Sequence, residues 1–421
     1  MVPVIGIDFG TTNTVAALLR PDGSSETVRF GPAGDVFRSV LCFWQEAVGQ
    51  SLTLRQEAGP AAIEAYLDDP LDARLIMSMK SYLAQASFTE TRIFGRRFTL
   101  EELIATFLRA MLTAGGIDPA GARIVAGRPV RFAGDRADDA LGAARLRTAF
   151  AAAGMHDVRL ALEPEGAGWR FARRLDHAAV VLIGDFGGGT SDFSVLRFVP
   201  GAAVQALGQS GIGIAGDVFD YRIIDHMISP RLGKGGSYKV MGKSLPVPTE
   251  YYLAFARWHR LSLMRNPRTL REIGEVARTA EHPWRLRALL SLIEDEMGYR
   301  LYQTVSGVKA ALSTADEARL RFHHKELEID EPLTRADFES WIAPDLARIG
   351  TAVDQAIERS GLAADAVDHV FLTGGTSFVP AVKQIFTRRF GESRVVAGGE
   401  FVSVAEGLAL IGQDGSWQNA A

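Results

Sequence analysis

Residues 180–198 read VVLIGDFGGGTSDFSVLRF. An apolar run reaches Asp185, a turn of small residues follows at Gly187, Gly188, Gly189 and Thr190, and a second strand-like run begins at Ser191. That order predicts strand, turn, strand. Near the start of the chain, residues 4–19 read VIGIDFGTTNTVAALL, with the same apolar approach to Asp8 and a Gly-Thr-Thr-Asn turn before a second run. The two Asp-Phe-Gly sites, at residues 8 and 185, lie 177 positions apart. A supersecondary unit repeated at that spacing predicts two similar lobes, each opening with the same hairpin.

Outward from these hairpins the chain alternates between strand and helix patterns. Residues 100–114 and 136–153 have the spaced apolar positions of helices, and 124–132 reads as a strand leaving toward a loop. Residues 217–228 predict a helix with Asp217 as its N-cap. The stretch 231–298 is rich in Arg, Trp and His. It reads as a helical insertion with solvated charged faces, or otherwise as a partner surface. Residues 297–312 and 336–360 are further helix candidates. HVFLTGGTSFVPAVKQIFTRRFG, residues 369–391, predicts strand, Gly-Gly turn, helix. A short helix is expected over 404–412.

With 421 residues the chain is too long for one compact core and suits two or more domains. Apolar residues make up 47% and charged residues 23%, an ordinary globular balance. A formal net charge of −4 predicts no general attraction to nucleic acid or to anionic membrane. The single cysteine, Cys42, excludes an intramolecular disulfide and a Cys-based metal site, and it reads as a small buried hydrophobe. The first twenty residues lack a basic n-region, and no run of about 18 apolar residues occurs, so neither a secretory signal nor a transmembrane helix is expected. A cytoplasmic location is the expectation that fits.

Turns built from glycine and small hydroxyl residues let successive backbone N–H groups point into one concavity, which suits phosphate oxygens. Gly187, Gly188 and Gly189 leave the approach open, and Thr11, Thr12 and Thr190 add hydroxyl donors. Each turn follows an aspartate at a strand end. Two carboxylates facing a polyphosphate need a cation between them, and Mg2+ is typically held by one or two carboxylates together with phosphates and water. One such turn is an ordinary hairpin, whereas the pair is a far more specific signal.

On these segments the chain resembles the actin, hexokinase and DnaK superfamily of ATPases. IGIDFGTTNT and IGDFGGGTSDFSVL resemble its two phosphate motifs, and LTGGTSFVP its adenosine motif. LEPEGAGWRFA and VAEGLALIG resemble its two connecting helices. All five occur in the family's order. Within the superfamily the chain most resembles DnaK-type heat-shock chaperones, through DFGGGTSDFSVL, GDVFDYRIID and the Glu-Pro before the first connecting helix. Among their forms it resembles the short YegD-type chaperone homologues.

The resemblance implies an α/β, two-lobed actin-like ATPase fold, each lobe a mixed sheet with helices plus an inserted subdomain. Lobe I would cover 1–177, with an insertion over about 39–120 and a helix from 397–421 returning to it. Lobe II would cover 178–396, with an insertion over about 222–342. ATP or ADP with Mg2+ would occupy the cleft, and Asp8 and Asp185 would hold the hydrated ion. Thr11, Thr12, Asn13, Gly187, Gly188, Gly189 and Thr190 would grip the phosphates, with Gly216 in a second glycine-rich turn. Lys80, in IMSMKSYL, would steady the terminal phosphate and attacking water. Glu163 would stand at the lobe interface and Asp192 near that water. Lys309, Ser313, Gly374 and Gly375 would line the adenosine pocket. Without the match, Lys80 reads as a solvated helix lysine and Glu163 as a helix-start acid. Lys309 and Ser313 read then as surface residues at i,i+4.

Three departures bear on adenosine. Phe378 stands where the chaperones commonly carry Arg, and Ser306 and Ala310 replace charged positions. The chaperones also continue into a peptide-binding sandwich and lid, which this sequence does not contain up to Ala421, so peptide stimulation is not expected. A folded protein partner or co-chaperone is the implied regulator. A small-molecule kinase or an actin-like filament ATPase are the other readings of the same fold. The Gly211, Gly213, Gly216 pattern lacks the acid that a dinucleotide site needs about 20 residues later, and Asp-Phe-Gly lacks the other kinase motifs.

Overall fold

The computed structural model describes residues 2–49, 51–133, 137–172, 177–199, 204–256, 264–397 and 402–413. The start of the predicted 136–153 helix, part of the 231–298 stretch and the tail from 414 lie outside the described residues. The chain divides into two units, Met1–Gly216 with Leu346–Ala421, and Asp217–Asp345.

The first unit holds the repeated sheet. Strand Val4–Phe9 pairs antiparallel with Asn13–Leu19, placing Asp8 opposite Val15. Ser25–Thr27 continues on the hairpin's outer side. Arg123–Arg128 and then Val158–Leu162 add in parallel on the other. The second sheet has the same order and directions. Ala179–Phe186 pairs antiparallel with Ser191–Phe198, placing Asp185 opposite Asp192. Gln205–Ile212 lies outside that hairpin, and His369–Thr373 and Val395–Ala397 add in parallel. Parallel neighbours need crossovers. Helix Asp139–Ala152 supplies one in the first sheet and helix Pro380–Phe390 supplies one in the second.

Because strand side chains alternate between faces, each hairpin strand sorts its residues. Ile5, Ile7 and Phe9 join one core with Leu103, Phe107, Leu146 and Phe150 from helices Leu100–Ala114 and Asp139–Ala152. Val4 and Val125 join another with Val181, Ile183, Ala167, Val404 and Leu408. That second core is where helices Glu163–Ala172 and Val402–Ile411 pack against each other and against the two hairpins. The packing brings backbone against backbone. A Cβ on Gly407 would lie 1.6 Å from the Gly166 carbonyl oxygen, and one on Gly6 would lie 2.1 Å from that of Ala405.

Helix boundaries follow local chemistry. Thr99 and Glu102 form a capping box: the Thr99 hydroxyl accepts from the Glu102 N–H at 3.2 Å and the Glu102 carboxylate accepts from the Thr99 N–H at 2.8 Å. Asp138 accepts from the Leu141 N–H at 3.0 Å. The helix therefore starts at Asp139, three residues after the predicted 136. Between the first hairpin and Leu100, three strands, Val40–Val48, Ser51–Ala58 and Ala73–Met77, form a small antiparallel sheet.

In the second unit, the helix that begins at Gly216 runs to Ile223 and continues as a π turn over Ile224–Ile228. Asp217 thus lies in the first turn instead of capping it. The 231–298 stretch is not wholly helical. Ser237–Val240 and Lys243–Pro246 form a hairpin whose turn residues, Met241 and Gly242, have φ of 47° and 78°. Two positive φ values are what a tight two-residue hairpin turn demands. Helices Glu250–Phe255, Pro267–Thr279, Pro283–Glu294 and Gly298–Ala311 follow, then the hairpin Glu317–His324 with Leu327–Thr334. Among the described residues no helix is long and apolar enough to cross a membrane.

Candidate functional site

Asp8 and Asp185 sit near the C-terminal ends of equivalent strands, on the sheet faces that carry Val4 and Gly6, and Val181 and Ile183. Those faces pack against helices Val402–Ile411 and Glu163–Ala172, respectively. The duplication thus turns both aspartates toward the helix pair. Asp192, paired across the strand with Asp185, shares its face.

The two glycine and threonine turns approach each other. A Cβ placed on Gly189 would lie 3.4 Å from Thr11 Oγ1 and 3.5 Å from Ser81 Oγ. Each turn is closed tightly. The Gly187 N–H donates to the Thr190 carbonyl at 2.9 Å, and a Cβ on Gly10 would lie 2.2 Å from the Asn13 carbonyl oxygen. Thr12 and Asn13 are anchored by the next segment: the Ser39 N–H donates to the Thr12 carbonyl at 2.9 Å, and Arg38 Nη1 donates to Asn13 Oδ1 at 2.8 Å. Thr11 is buried, while Asn13, Gly188, Gly189 and Thr190 are partly exposed.

Lys80 is no solvated helix lysine. It lies on a 3-10 turn, Met79–Tyr82, after strand Ala73–Met77, and it is only 8% exposed. Ser78, before the turn, holds φ at 53°, and its buried hydroxyl finds no partner among the described residues. Such left-handed strain in a side-chain-bearing residue persists where its surroundings fix it and clusters at functional sites. Lys80 Nζ donates to Glu163 Oε1 at 2.5 Å. Glu163 opens helix Glu163–Ala172 and is 5% exposed. A Cβ on Gly127 would come 3.0 Å from Glu163 Cγ, so the glycine makes room for it.

The electrostatics are those of crowded carboxylates. Burial, then the charge of Glu163, push the Asp8 carboxyl up to about 7, with Lys80 opposing. Burial and Glu163 likewise raise Asp192 to about 7, against hydrogen bonds from Arg131 and Thr190. Asp192 Oδ1 accepts from the backbone N–H of Val130 at 2.8 Å and of Arg131 at 3.2 Å. Asp185 is raised well above the usual carboxylate range by burial and by Glu163, Asp8 and Asp192. Burial pulls the Lys80 amine down, but Glu163, Asp8 and Asp185 together raise it above its ordinary value. The donor set is all oxygen and rich in negative charge, which suits a hard divalent cation. Among the described residues no three or more His, Cys, Asp and Glu side chains gather as a complete metal cage. An ion here would take its remaining ligands from water or phosphate.

Gly374 packs against the second glycine turn. It has φ of 87°, and a Cβ on it would lie 2.0 Å from the carbonyl oxygen of Phe186, just before Gly187. Ser377 Oγ donates to the Gly374 carbonyl at 2.6 Å. Gly375 opens the 3-10 turn Gly375–Phe378, which leaves Phe378 49% exposed. Gly216 follows a turn tied down by Ser191, whose hydroxyl donates to the Ile214 carbonyl at 2.6 Å. In the second unit Lys309 donates to the buried Asp220 at 2.8 Å. Ser306 and Ala310 share helix Gly298–Ala311 with it, but Ser313 does not: Leu312 ends the helix and the Ser313 N–H donates to the Ala310 carbonyl at 3.1 Å. The expected i,i+4 helical pair of Lys309 and Ser313 is thus replaced by a helix end.

Sequence reasoning missed Ser81, Asp220 and the N–H groups of Val130 and Arg131. Ser81 carries no motif of its own, and backbone donors leave no trace in side-chain identity. The G-D-V-F-D spacing of residues 216–220, one helical turn from Gly216, was the available signal for Asp220.

Comparison with known proteins agrees with the geometry. The family model described as Hsp70 protein matches residues 290–413. Chaperone protein DnaK from each of two strains of Thermus thermophilus is 24% identical over 405 residues, covering 93% of this chain and 57% of the relative. The chain therefore spans little more than half the length of the curated relatives it matches. With its duplicated sheets and converging turns it has the α/β fold of the actin-like ATPases, and in sequence it is similar to the Hsp70 protein family.

Proposed function

We propose that this chain is an ATP-binding, ATP-hydrolysing DnaK-like chaperone homologue, of the short YegD type. The observation that carries the reading is the convergence of two equivalent phosphate turns on the buried Lys80–Glu163 pair and on Asp8, Asp185 and Asp192. Thr11, Thr12, Asn13 and Gly188 to Thr190 would offer hydroxyl and backbone N–H donors to the phosphates, while Gly187, whose N–H closes the turn, leaves the approach open. Asp8 and Asp185 would hold Mg2+, which when bound offsets phosphate charge. Lys80, kept protonated by the carboxylates around it, steadies the terminal phosphate and attacking water, and Glu163 fixes its amine. Asp192, held by two N–H groups, orients the water and can take up its proton. Phosphoryl transfer of this kind needs positioning and charge neutralisation more than covalent chemistry. Gly374 and Gly375 would let adenosine approach closely, with Gly216 beside the phosphates, and the resemblance adds Lys309 and Ser313 as adenosine residues.

The lobes expected at 1–177 and 178–396 would close on the nucleotide, with a cytoplasmic folded protein or co-chaperone as partner. Calorimetry of ATP binding, with phosphate release followed across a magnesium titration, tests the reading. We expect Mg2+-dependent binding and slow turnover, and about tenfold more Mg2+ for half-maximal turnover in Asp8→Asn and in Asp185→Asn. Absence of ATP binding, or variant titrations that overlay the parent, would contradict it.

A further inference from the structure

We infer that Ser81 is a further phosphate-binding residue, one that recognises the terminal phosphate of a nucleoside triphosphate. The inference rests on the ATP reading above and adds a residue to it. Ser81 follows Lys80 on the 3-10 turn Met79–Tyr82. Its backbone is fixed at both ends: its N–H donates to the Ser78 carbonyl at 3.0 Å and its carbonyl accepts from Gln85 Nε2 at 2.7 Å. Its side chain is partly exposed, so ligand can reach it.

The hydroxyl points at the phosphate turns. The place where a side chain on Gly189 would begin lies 3.5 Å from Ser81 Oγ and 3.4 Å from Thr11 Oγ1. A glycine at that point leaves an opening bracketed by hydroxyls from two separate segments. An anion entering the opening meets hydroxyl donors from both, beside the glycine turn. Thr11 and the glycine turn are common to any bound phosphate chain. Ser81 comes instead from the segment that carries Lys80, the group assigned to the terminal phosphate. A diphosphate would use the first two and leave Ser81 unused.

The consequence is selectivity for triphosphate over diphosphate. A hydrogen bond to a charged group is worth about a factor of ten in affinity, or somewhat more. The test is calorimetry with Mg2+ and either ADP or an ATP analogue whose β–γ bridge resists hydrolysis. Parent, Ser81→Ala and Ser81→Thr are compared, with circular dichroism to verify folding. The expected result is about tenfold weaker analogue binding in Ser81→Ala, ADP binding within about twofold of the parent, and parent-like behaviour in Ser81→Thr, which keeps the hydroxyl. Equal losses for both nucleotides, or no loss for either, would overturn the role of Ser81 while leaving the ATP reading in place. A parent protein that binds neither nucleotide would overturn both.

Discussion

Asp8, Asp185 and Asp192 all feel the same two neighbours, the charge of Glu163 raising their pKa values and the Lys80 amine lowering them. One lysine cannot neutralise four carboxylates, and burial makes the surplus charge costly. Metal-free protein should therefore respond to pH in a definite direction. Asp8 and Asp192 sit near 7 in the folded chain against an ordinary carboxyl value of 3.8. Between those limits the folded state binds more protons than the unfolded state, so stability is full below about 4 and is lost as pH rises through about 7. In EDTA the melting temperature should fall between pH 5.5 and pH 8, and Asp192→Asn should flatten that fall. A melting temperature that rises over this interval, with the carboxylates intact, would contradict the charge arrangement. Asp8 and Asp185 were legible in the sequence because each ends an apolar run before a glycine turn. The setting of Lys80 was not: a lysine beside two methionines reads as a helix surface, and nothing local announces the left-handed Ser78 that starts a tighter turn.

At the scale of elements, the duplicated hairpin was readable from the Asp-Phe-Gly repeat, and each hairpin became the centre of a sheet with the same strand order. The hairpin at 237–246 was missed because its turn is Met-Gly, with no Asn, Asp or Pro to mark it. Similarly, the predicted start of the 136–153 helix passed over Asp138, the residue that caps it. Glycines separate close contact from mere flexibility. Gly374 has positive φ, and a Cβ on it would collide with the Phe186 carbonyl at 2.0 Å, whereas the exposed Gly307, inside helix Gly298–Ala311, meets nothing within 4 Å. Gly374→Ala should destabilise by about 1–3 kcal/mol and weaken nucleotide binding, since the shift falls beside Gly187. Gly307→Ala should stabilise its helix by about 0.5–1 kcal/mol. Denaturant titrations of the two variants check the pair, and a Gly374→Ala protein as stable as the parent would show that this turn is not closely packed.

Across the whole molecule, what was legible is the class of fold and the pairing of its two hairpin turns. The convergence of residues 8, 80, 163, 185 and 192 required the structure, because it depends on two helices packing through Gly166 and Gly407 against equivalent sheet faces. That convergence is also what separates the ATPase reading from a set of unrelated hairpins. On the proposed reading Lys80 serves the reaction and the turns supply the bulk of nucleotide affinity, so binding and turnover should come apart when the lysine is removed. The most direct measurement is single-turnover ATP hydrolysis by Lys80→Ala, paired with calorimetric ATP binding on the same protein. The account predicts binding within about tenfold of the parent and hydrolysis reduced about a hundredfold or more. Turnover equal to the parent, with ATP bound, would contradict it.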